Sequence, residues 1–330
     1  MSRMDTQPGQ LAVVVIARNE EANIGRTLHA LDTALAGLPP SHRILVDSGS
    51  TDRTVQIART HPVQIFRYDG PPYTAAAGRR VGFTRTHARF VLFLDGDCCL
   101  ERGWLEHALD MLAADERAAV VHGPRREIFP DTARKEDAPI QGCGAYDLGG
   151  NALYRSEALR CVGSFNPHLP AGEEGELLGR LLANGYRPLC TPTLMFTHYT
   201  QRKTEVAGFL ARLRRGLGRG LGTTLRLAIG QGALCYHARR LNRYLITLAY
   251  LVLGAVTGLL SLALHDLRPL AVWSLVAAAG FLLLWRRRRS LREACFIVAD
   301  WMSIALRLPI EFVRTPAAPE AFHPRVERLQ

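Results

Sequence analysis

The sequence predicts an α/β protein: a doubly wound, mostly parallel sheet, followed by a C-terminal transmembrane helical hairpin with amphipathic interface helices. Three observations carry that expectation. Short apolar, β-branched runs alternate with helical stretches through the first two hundred residues. Two long uncharged runs lie between residues 244 and 285. The charge also divides: residues 1–200 hold 21 basic and 23 acidic side chains, whereas 201–330 hold 20 and 7.

At 330 residues and 48% hydrophobic, the chain is too apolar for disorder and long enough for one large domain or two small ones. Its composition excludes a collagenous, coiled-coil or disulfide-scaffold protein. The net charge of +11 sits beside the apolar runs and not on the alternating half, so it points to membrane lipids and not to nucleic acid. Seven cysteines make an odd count, two of them (Cys98 and Cys99) are adjacent, and no C-x-x-C pair occurs. No zinc site or disulfide framework is therefore expected, and a reducing compartment is. The first ten residues lack a basic-then-apolar leader, and the first apolar run is only seven residues long. The N-terminal half is expected in the cytoplasm.

Strands are expected at 11–17, 44–46, 63–66 and 90–94, with helices at 20–36, 52–60, 75–87 and 104–114. In such sheets ligands bind at the carboxyl ends of the strands. The loops that matter are then Arg18-Asn19-Glu20, the segment from Asp47 to Asp52, and Asp95-Gly96-Asp97. The expected organisation is a first domain over 1–200, a basic amphipathic interface segment over 201–240, a two-helix hairpin over 241–289, and an amphipathic helix with a tail over 290–330.

Residues 244–264 carry no charge over 21 positions, and 269–285 none over 17. About twenty apolar residues cross a ~30 Å hydrocarbon layer as a helix. Arg239, Arg240 and Arg243 precede the first run and Arg286 to Arg289 follow the second, so both flanks read as cytoplasmic. A buried core hairpin is the competing reading, and four consecutive arginines argue against it. Residues 205–228 place leucines on one helical face and arginines on another, with Gly216, Gly218, Gly220 and Gly222 weakening the helix. In 293–314, Glu293, Asp300, Arg307, Glu311 and Arg314 form one polar stripe on an apolar helix bent near Pro309. That stripe could lie in the interface or face the hairpin.

No G-x-G-x-x-G or G-x-x-x-x-G-K-[ST] follows the first strand, so the dinucleotide fingerprint and the P-loop are missing. Asp95 and Asp97, two residues apart around a glycine, suit a hard divalent cation that keeps open positions for phosphate. Alone, that loop also reads as a solvated turn, and Asp47 and Asp52 as a turn acid and a helix cap. The order is more specific than its parts. VVVIARNEEANI, ILVDSGSTDRT, an Ala-rich helix and VLFLDGD follow one another, then Gly149 to Arg155, then Ala171-Gly172-Glu173-Glu174-Gly175, then His198 after Leu194-Met195-Phe196. This series resembles the nucleotide-sugar domain of glycosyltransferase family 2, the GT-A fold, over residues 11–215.

The resemblance implies an inverting, metal-dependent glycosyltransferase. Asp47 contacts the nucleoside, with Arg18, Asn19 and Glu20 shaping the same pocket. Asp95 and Asp97 hold Mg²⁺ or Mn²⁺ against the diphosphate, and His198 completes the metal shell, touches phosphate or is structural. Glu174, or else Glu173, is the base that deprotonates the acceptor hydroxyl. Arg80 is a candidate phosphate contact, in a segment where the family often shows Arg-Asn-x-x-Gly. Two departures stand out: Glu174 occupies the place of the family's usual Asp, and 209–215 lacks the Gln-x-x-Arg-Trp of processive synthases, which favours single-sugar transfer. The donor is a nucleotide sugar and the acceptor a lipid-linked or membrane-proximal glycan of the cell envelope or an exopolysaccharide. The expected place is the inner membrane, catalytic domain facing the cytoplasm. The alternative is a catalytically silent, membrane-anchored subunit of an envelope-glycan assembly complex.

Overall fold

The computed structural model describes residues 9–129, 140–144, 146–200, 210, 220–314 and 317–330. They fall into two compact units. The first comprises the chain to residue 202 together with 231–233 and the end of the chain from 316, and the second comprises 203–230 and 234–315.

The first unit is built on an eight-stranded sheet. Its strands are β1 (Leu11–Ala17), β2 (His42–Asp47), β3 (Gln64–Asp69), β4 (Phe90–Asp95), β6 (Ala118–His122), β9 (Ala152–Arg155), β10 (Arg187–Cys190) and β12 (Arg325–Arg328), in the order β10-β6-β9-β4-β1-β2-β3-β12. The run LAVVVIA makes the central strand because all seven side chains are buried, as a strand covered on both faces requires. It pairs in parallel with β2 and β4. Strand β9 runs antiparallel between β4 and β6. A smaller sheet joins β5 (Cys98–Leu100), β11 (Phe196–Tyr199), β7 (Arg125–Ile128) and β8 (Ile140–Gln141) in that order.

Helices cover the large sheet. They include α1 (Ile24–Ala34), α2 (Thr54–Ala58), α3 (Ala75–Phe83) and α4 (Trp104–Ala114). Helix α3 packs against the sheet at Gly82, where an added Cβ would meet Val14 Cγ1 at 2.2 Å. The first helix starts later than the sequence predicts because Asn19 adopts a left-handed φ of 56° and the turn from Glu20 to Asn23 precedes the helix.

Two further expectations need correction. The end of the chain is more than a tail: β12 adds antiparallel to β3 at the sheet edge. A four-residue strand with alternating charge gave no periodicity strong enough to see. Cys143 and Cys190, 47 residues apart, form a disulfide. Sequence spacing hides such a pair because only the fold brings the end of β10 beside the stretch after β8.

In the second unit the hairpin helices are α9 (Asn242–Leu264) and α10 (Arg268–Arg288). Both are long and apolar enough to cross a membrane, with mean hydropathy 2.2 and 1.6. They meet where Tyr250 stacks on Trp273 at 5.0 Å, and Tyr250 Oη donates to the Trp273 carbonyl at 2.7 Å. Gly254 lies against the Trp273 ring, where a Cβ would come within 2.6 Å. Of the amphipathic segment, 205–209 and 211–219 lie outside the described residues, while α7 (Leu221–Gly230) is formed. There Gly222 serves close packing: its Cβ would be 2.3 Å from the Leu308 carbonyl oxygen. The stripe helix is two helices, α11 (Leu291–Ala305) and α12 (Leu308–Val313), with the break just before Pro309. Glu311 is buried and accepts from the Gly220 N–H at 2.7 Å, so this member of the stripe faces the start of α7, while Arg314 stays exposed.

Candidate active site

The three polar loops predicted at the strand ends do converge in the first unit. Asp47 closes β2 with no exposed surface and accepts from the Ser50 N–H at 3.1 and 3.2 Å, which curls the loop back on itself. Gly49 permits this with a φ of +72°. Arg67 on β3 lies 3.5 Å from Asp47 and donates to the Ser50 carbonyl at 2.8 Å. Asn19 is spent on tying two loops together: its N–H donates to Ser50 Oγ at 2.9 Å, and its side-chain oxygen accepts from the Thr51 N–H at 2.9 Å. Arg18 sits over the Tyr73 ring at 4.5 Å. A cleft with a buried carboxylate, an arginine and a half-exposed aromatic face can bind a nucleoside by hydrogen bonding and stacking.

The second cluster is organised by Arg79. Its guanidinium, 2% exposed, reaches Asp95 at 2.8 Å, Glu173 at 2.9 Å and Glu174 at 3.5 Å. Burial alone would lower its pKa, but Asp95, Glu174 and Glu173 together raise it, so it stays charged. The fold fixes each partner. Asn151 clamps Asp95 from both sides, accepting from the Asp95 N–H at 2.7 Å and donating to its carboxylate at 3.3 Å. At Gly150 a Cβ would fall 2.0 Å from Arg79 Nη2, so only glycine lets the guanidinium in. Glu173 and Glu174 open α6 (Glu173–Ala183) after Gly172, whose φ of 77° turns the chain. The helix dipole favours acids there. Farther along, Arg180 grips Glu176 at 2.7 Å and the Ser164 carbonyl at 2.6 Å, which anchors the helix carrying both acids. Burial first, and the charge of Glu173 second, push the Glu174 carboxyl up to about 7.

Asp97 and His198 form the third feature, with Oδ2 and Nε2 3.0 Å apart. Burial would raise the Asp97 carboxyl, yet the bond and charge of His198 hold it below its ordinary value. The same bond raises His198. One ligand atom each from Asp97, Cys98 and His198 lies within 4.8 Å of the others. The carboxylate oxygen and imidazole nitrogen are suited to a divalent cation. Cys98 is not, because burial keeps its thiol protonated and it donates to Asp97 at 3.4 Å. Glu20 faces this loop too: burial raises its carboxyl most, Asn23 lowers it by a hydrogen bond, and Asp97 and Asp95 raise it further.

Asp47, Glu20, Asp95, Asp97, His198, Glu173 and Glu174 thus stand where strand ends meet, and Arg18 caps Tyr73. Arg80 stands apart. Its guanidinium donates to the Gly163 carbonyl at 2.9 Å and the Phe165 carbonyl at 3.2 Å, away from the acid cluster. One residue along a helix rotates a side chain by about 100°, and it is Arg79 that points into the cluster. Sequence reasoning also missed Arg67, Tyr73 and Asn151. The Arg67-Tyr68-Asp69 ending of β3 was a polar strand end like the others, and Asn151 follows the glycine pair already singled out.

Known proteins resemble this chain in sequence and in fold. The family model described as Glycosyl transferase family 2 matches residues 12–163. The chain is 27% identical over 274 residues to the pre-mycofactocin glycosyltransferase of Mycobacterium tuberculosis, covering 75% of this chain and 56% of that one. It is 24% identical over 210 residues to the succinoglycan biosynthesis protein ExoA of Rhizobium meliloti, covering 58% and 63%. The chain therefore spans little more than half the length of the first of these relatives. Among solved structures, the mannosyltransferase PcManGT from Pyrobaculum calidifontis, in complex with GDP-Man and Mn²⁺, superposes with a TM-score of 0.63 at 17% identity, covering 91% of this chain and 87% of that one. S. aureus TarS 1-349 in complex with UDP-GlcNAc gives 0.54 at 16%, covering 67% and 66%. The GT-A sheet and the family match lead to one conclusion: residues 12–163 form a domain of the glycosyltransferase family 2 type.

Proposed function

We propose that the chain moves a single sugar, with inversion, from a nucleotide-sugar donor to a lipid-linked or membrane-proximal acceptor in cell-envelope or exopolysaccharide glycan synthesis. The observation that carries this reading is Glu174: a half-buried carboxyl pushed up to about 7, beside the Asp95–Asp97 loop and held by Arg79. Such a group is ionised enough at neutral pH to accept a proton and basic enough to want it. Glu174 takes the proton of the acceptor hydroxyl as its oxygen attacks the anomeric carbon. The bond to the diphosphate breaks on the opposite face, and its electron pair leaves with the phosphate oxygen. Asp47, Arg67 and the Arg18-covered Tyr73 face hold the nucleoside. Asp97 and His198, with Asp95 beside them, would hold Mg²⁺ or Mn²⁺, which stabilises the negative charge of the departing diphosphate. Arg79 keeps Asp95 and Glu174 at a fixed separation by answering both charges.

The relatives' names support the substrate class, because one acts in succinoglycan biosynthesis and the mannosyltransferase structure holds a nucleotide sugar with Mn²⁺. The apolar hairpin supports an acceptor at the membrane, and its arginine-rich flanks support a cytoplasmic active site at the inner membrane. The test is transfer or hydrolysis by purified protein across a panel of nucleotide sugars, with Mn²⁺, with Mg²⁺ and with EDTA. One donor should turn over, only with metal, and Asp97→Ala should abolish that turnover while the circular dichroism spectrum is retained. Full activity in EDTA would remove the metal from this reading, and no turnover of any donor would remove the enzyme.

A further inference from the structure

We propose that the carboxy-terminal segment, residues 317–330, is a working part of the donor pocket: it holds the platform of Tyr73 and Arg18 on which the nucleobase stacks. This rests on the reading of the Asp47–Tyr73 cleft as a nucleoside-diphosphate site.

The segment belongs to the first unit although more than a hundred residues separate it from the rest of that unit's sheet. Its strand pairs with β3 in the register Arg325↔Asp69, Val326↔Tyr68, Glu327↔Arg67 and Arg328↔Phe66. The ladder continues past the strand: Leu329 N–H donates to the Ile65 carbonyl at 2.8 Å, and Ile65 N–H donates to the Gln330 carbonyl at 3.2 Å. The Gln330 side-chain amide donates to the carbonyls of His61 and Val63, both at 3.2 Å. Without this strand β3 would be the edge of the sheet, with a row of unpaired N–H and C=O groups. Strand β3 is also the one that carries Arg67 to Asp47.

Side chains continue the connection into the cleft. Phe322 sets its ring edge-on to Tyr68 at 6.1 Å, and Tyr68, itself fully buried, stacks on Tyr73 at 5.7 Å. Tyr73 bears the Arg18 guanidinium at 4.5 Å and remains 38% exposed. The order is thus Phe322, Tyr68, Tyr73, Arg18: three rings in contact, ending in a cation at the mouth of the cleft. Phe322 also meets the His168 ring edge-to-face at 6.3 Å, a second contact that holds it in place. Tyr68 cannot settle backward while Phe322 is in place, and the height of Tyr73 follows from Tyr68. A base stacking on the Arg18 guanidinium that covers the Tyr73 ring meets a surface whose position the end of the chain determines.

An aromatic pair contributes enough beyond its buried area to change a dissociation constant about three- to tenfold. The test uses the full-length protein in detergent, with UDP, GDP, ADP and CDP as probes in titration calorimetry, and initial rates on the donor identified by the panel. Phe322→Ala should weaken the bound nucleoside diphosphate about three- to tenfold and raise the donor KM by a similar factor. Turnover at saturating donor should stay within twofold, and Phe322→Tyr should restore affinity. A segment that merely closes the fold would instead lower the melting temperature and leave the affinity of the folded protein unchanged. If Phe322→Ala does not fold, Phe322→Leu carries the comparison, since it fills the volume without offering a ring edge to Tyr68. Wild-type affinity in a folded Phe322 variant overturns the proposal. Failure of the wild type to bind any of the four probes overturns the donor-site reading on which it rests, and that outcome is separate from any effect of Phe322.

Discussion

Glu173 and Glu174 are neighbours with the same side chain, and their environments set them apart. Glu173 is 7% exposed and pairs with Arg79 at 2.9 Å, whereas Glu174 is more open and lies 3.5 Å away. A carboxylate locked in a buried ion pair makes a poor base, because taking a proton would break the pair. Glu174 is therefore the group whose protonation is expected to govern rate. Glu174→Gln should lower kcat by roughly 10²–10⁴-fold while the donor dissociation constant stays within a few-fold. The sign of the pH effect follows from the raised carboxyl. The base works only when ionised, so kcat/KM should climb with pH to a plateau above about 7, and the residual rate of Glu174→Gln should lack that climb. Glu173→Gln leaves the base but loosens Arg79, so its turnover should fall less. Should Glu173→Gln be the dead variant and Glu174→Gln the active one, the roles are reversed. If both turn over like wild type, base catalysis from this helix start is refuted.

At the scale of elements, the central strands and the acid loops were legible because each carries its own local signal. A seven-residue apolar run can only be a buried strand, and Asp-Gly-Asp at its neighbour's end is visible without a fold. Arg79 was harder to see. Choosing between Arg79 and Arg80 requires the rotation of α3 about its axis, and that rotation is fixed by how the helix lies on the sheet. Gly82 shows what fixes it. The Val14 methyl that a Cβ would strike belongs to a residue with no exposed surface in the central strand, so it has nowhere to move. The smallness of residue 82 lets α3 sink until Arg79 reaches Asp95. The tail strand was illegible for another reason: its pairing partner lies some 260 residues earlier, and nothing in four residues announces it. Gly82→Ala should cost about 1–3 kcal/mol through overpacking. Thermal unfolding should show a midpoint lower by several degrees, with turnover reduced because Arg79 is lifted from its partners. A variant that melts and turns over as wild type would show that α3 is not seated by this contact.

For the whole molecule, the question is what the hairpin does for a catalytic unit whose chemistry lies elsewhere in the chain. Helices of 23 and 21 residues are roughly 30–35 Å long, the thickness of a hydrocarbon layer. Leu259, Leu262, Leu275 and Leu283 are each more than two-thirds exposed, a costly arrangement in water and an ordinary one in lipid. In the proposed topology, arginines 286–289 would hold the second helix's end on the cytoplasmic side, where the positive-inside rule places such a cluster. The chain itself supplies reporters for this topology. Cys235 precedes the hairpin, Cys295 follows it, and both thiols are exposed. The link between the helices, which includes His265, has none. In intact cells stripped of their outer layers, a membrane-impermeant maleimide should label neither Cys235 nor Cys295, and both should react in inverted vesicles. His265→Cys should give the opposite pattern. The protein should stay with the membrane through alkaline carbonate extraction, and deletion of 242–288 should release it and cut transfer to a lipid-linked acceptor more than donor hydrolysis. Labelling of Cys235 and Cys295 from outside would place the active site on the wrong side for a cytoplasmic nucleotide sugar. Equal labelling of all three positions from one side would mean that the hairpin lies on the surface and spans nothing.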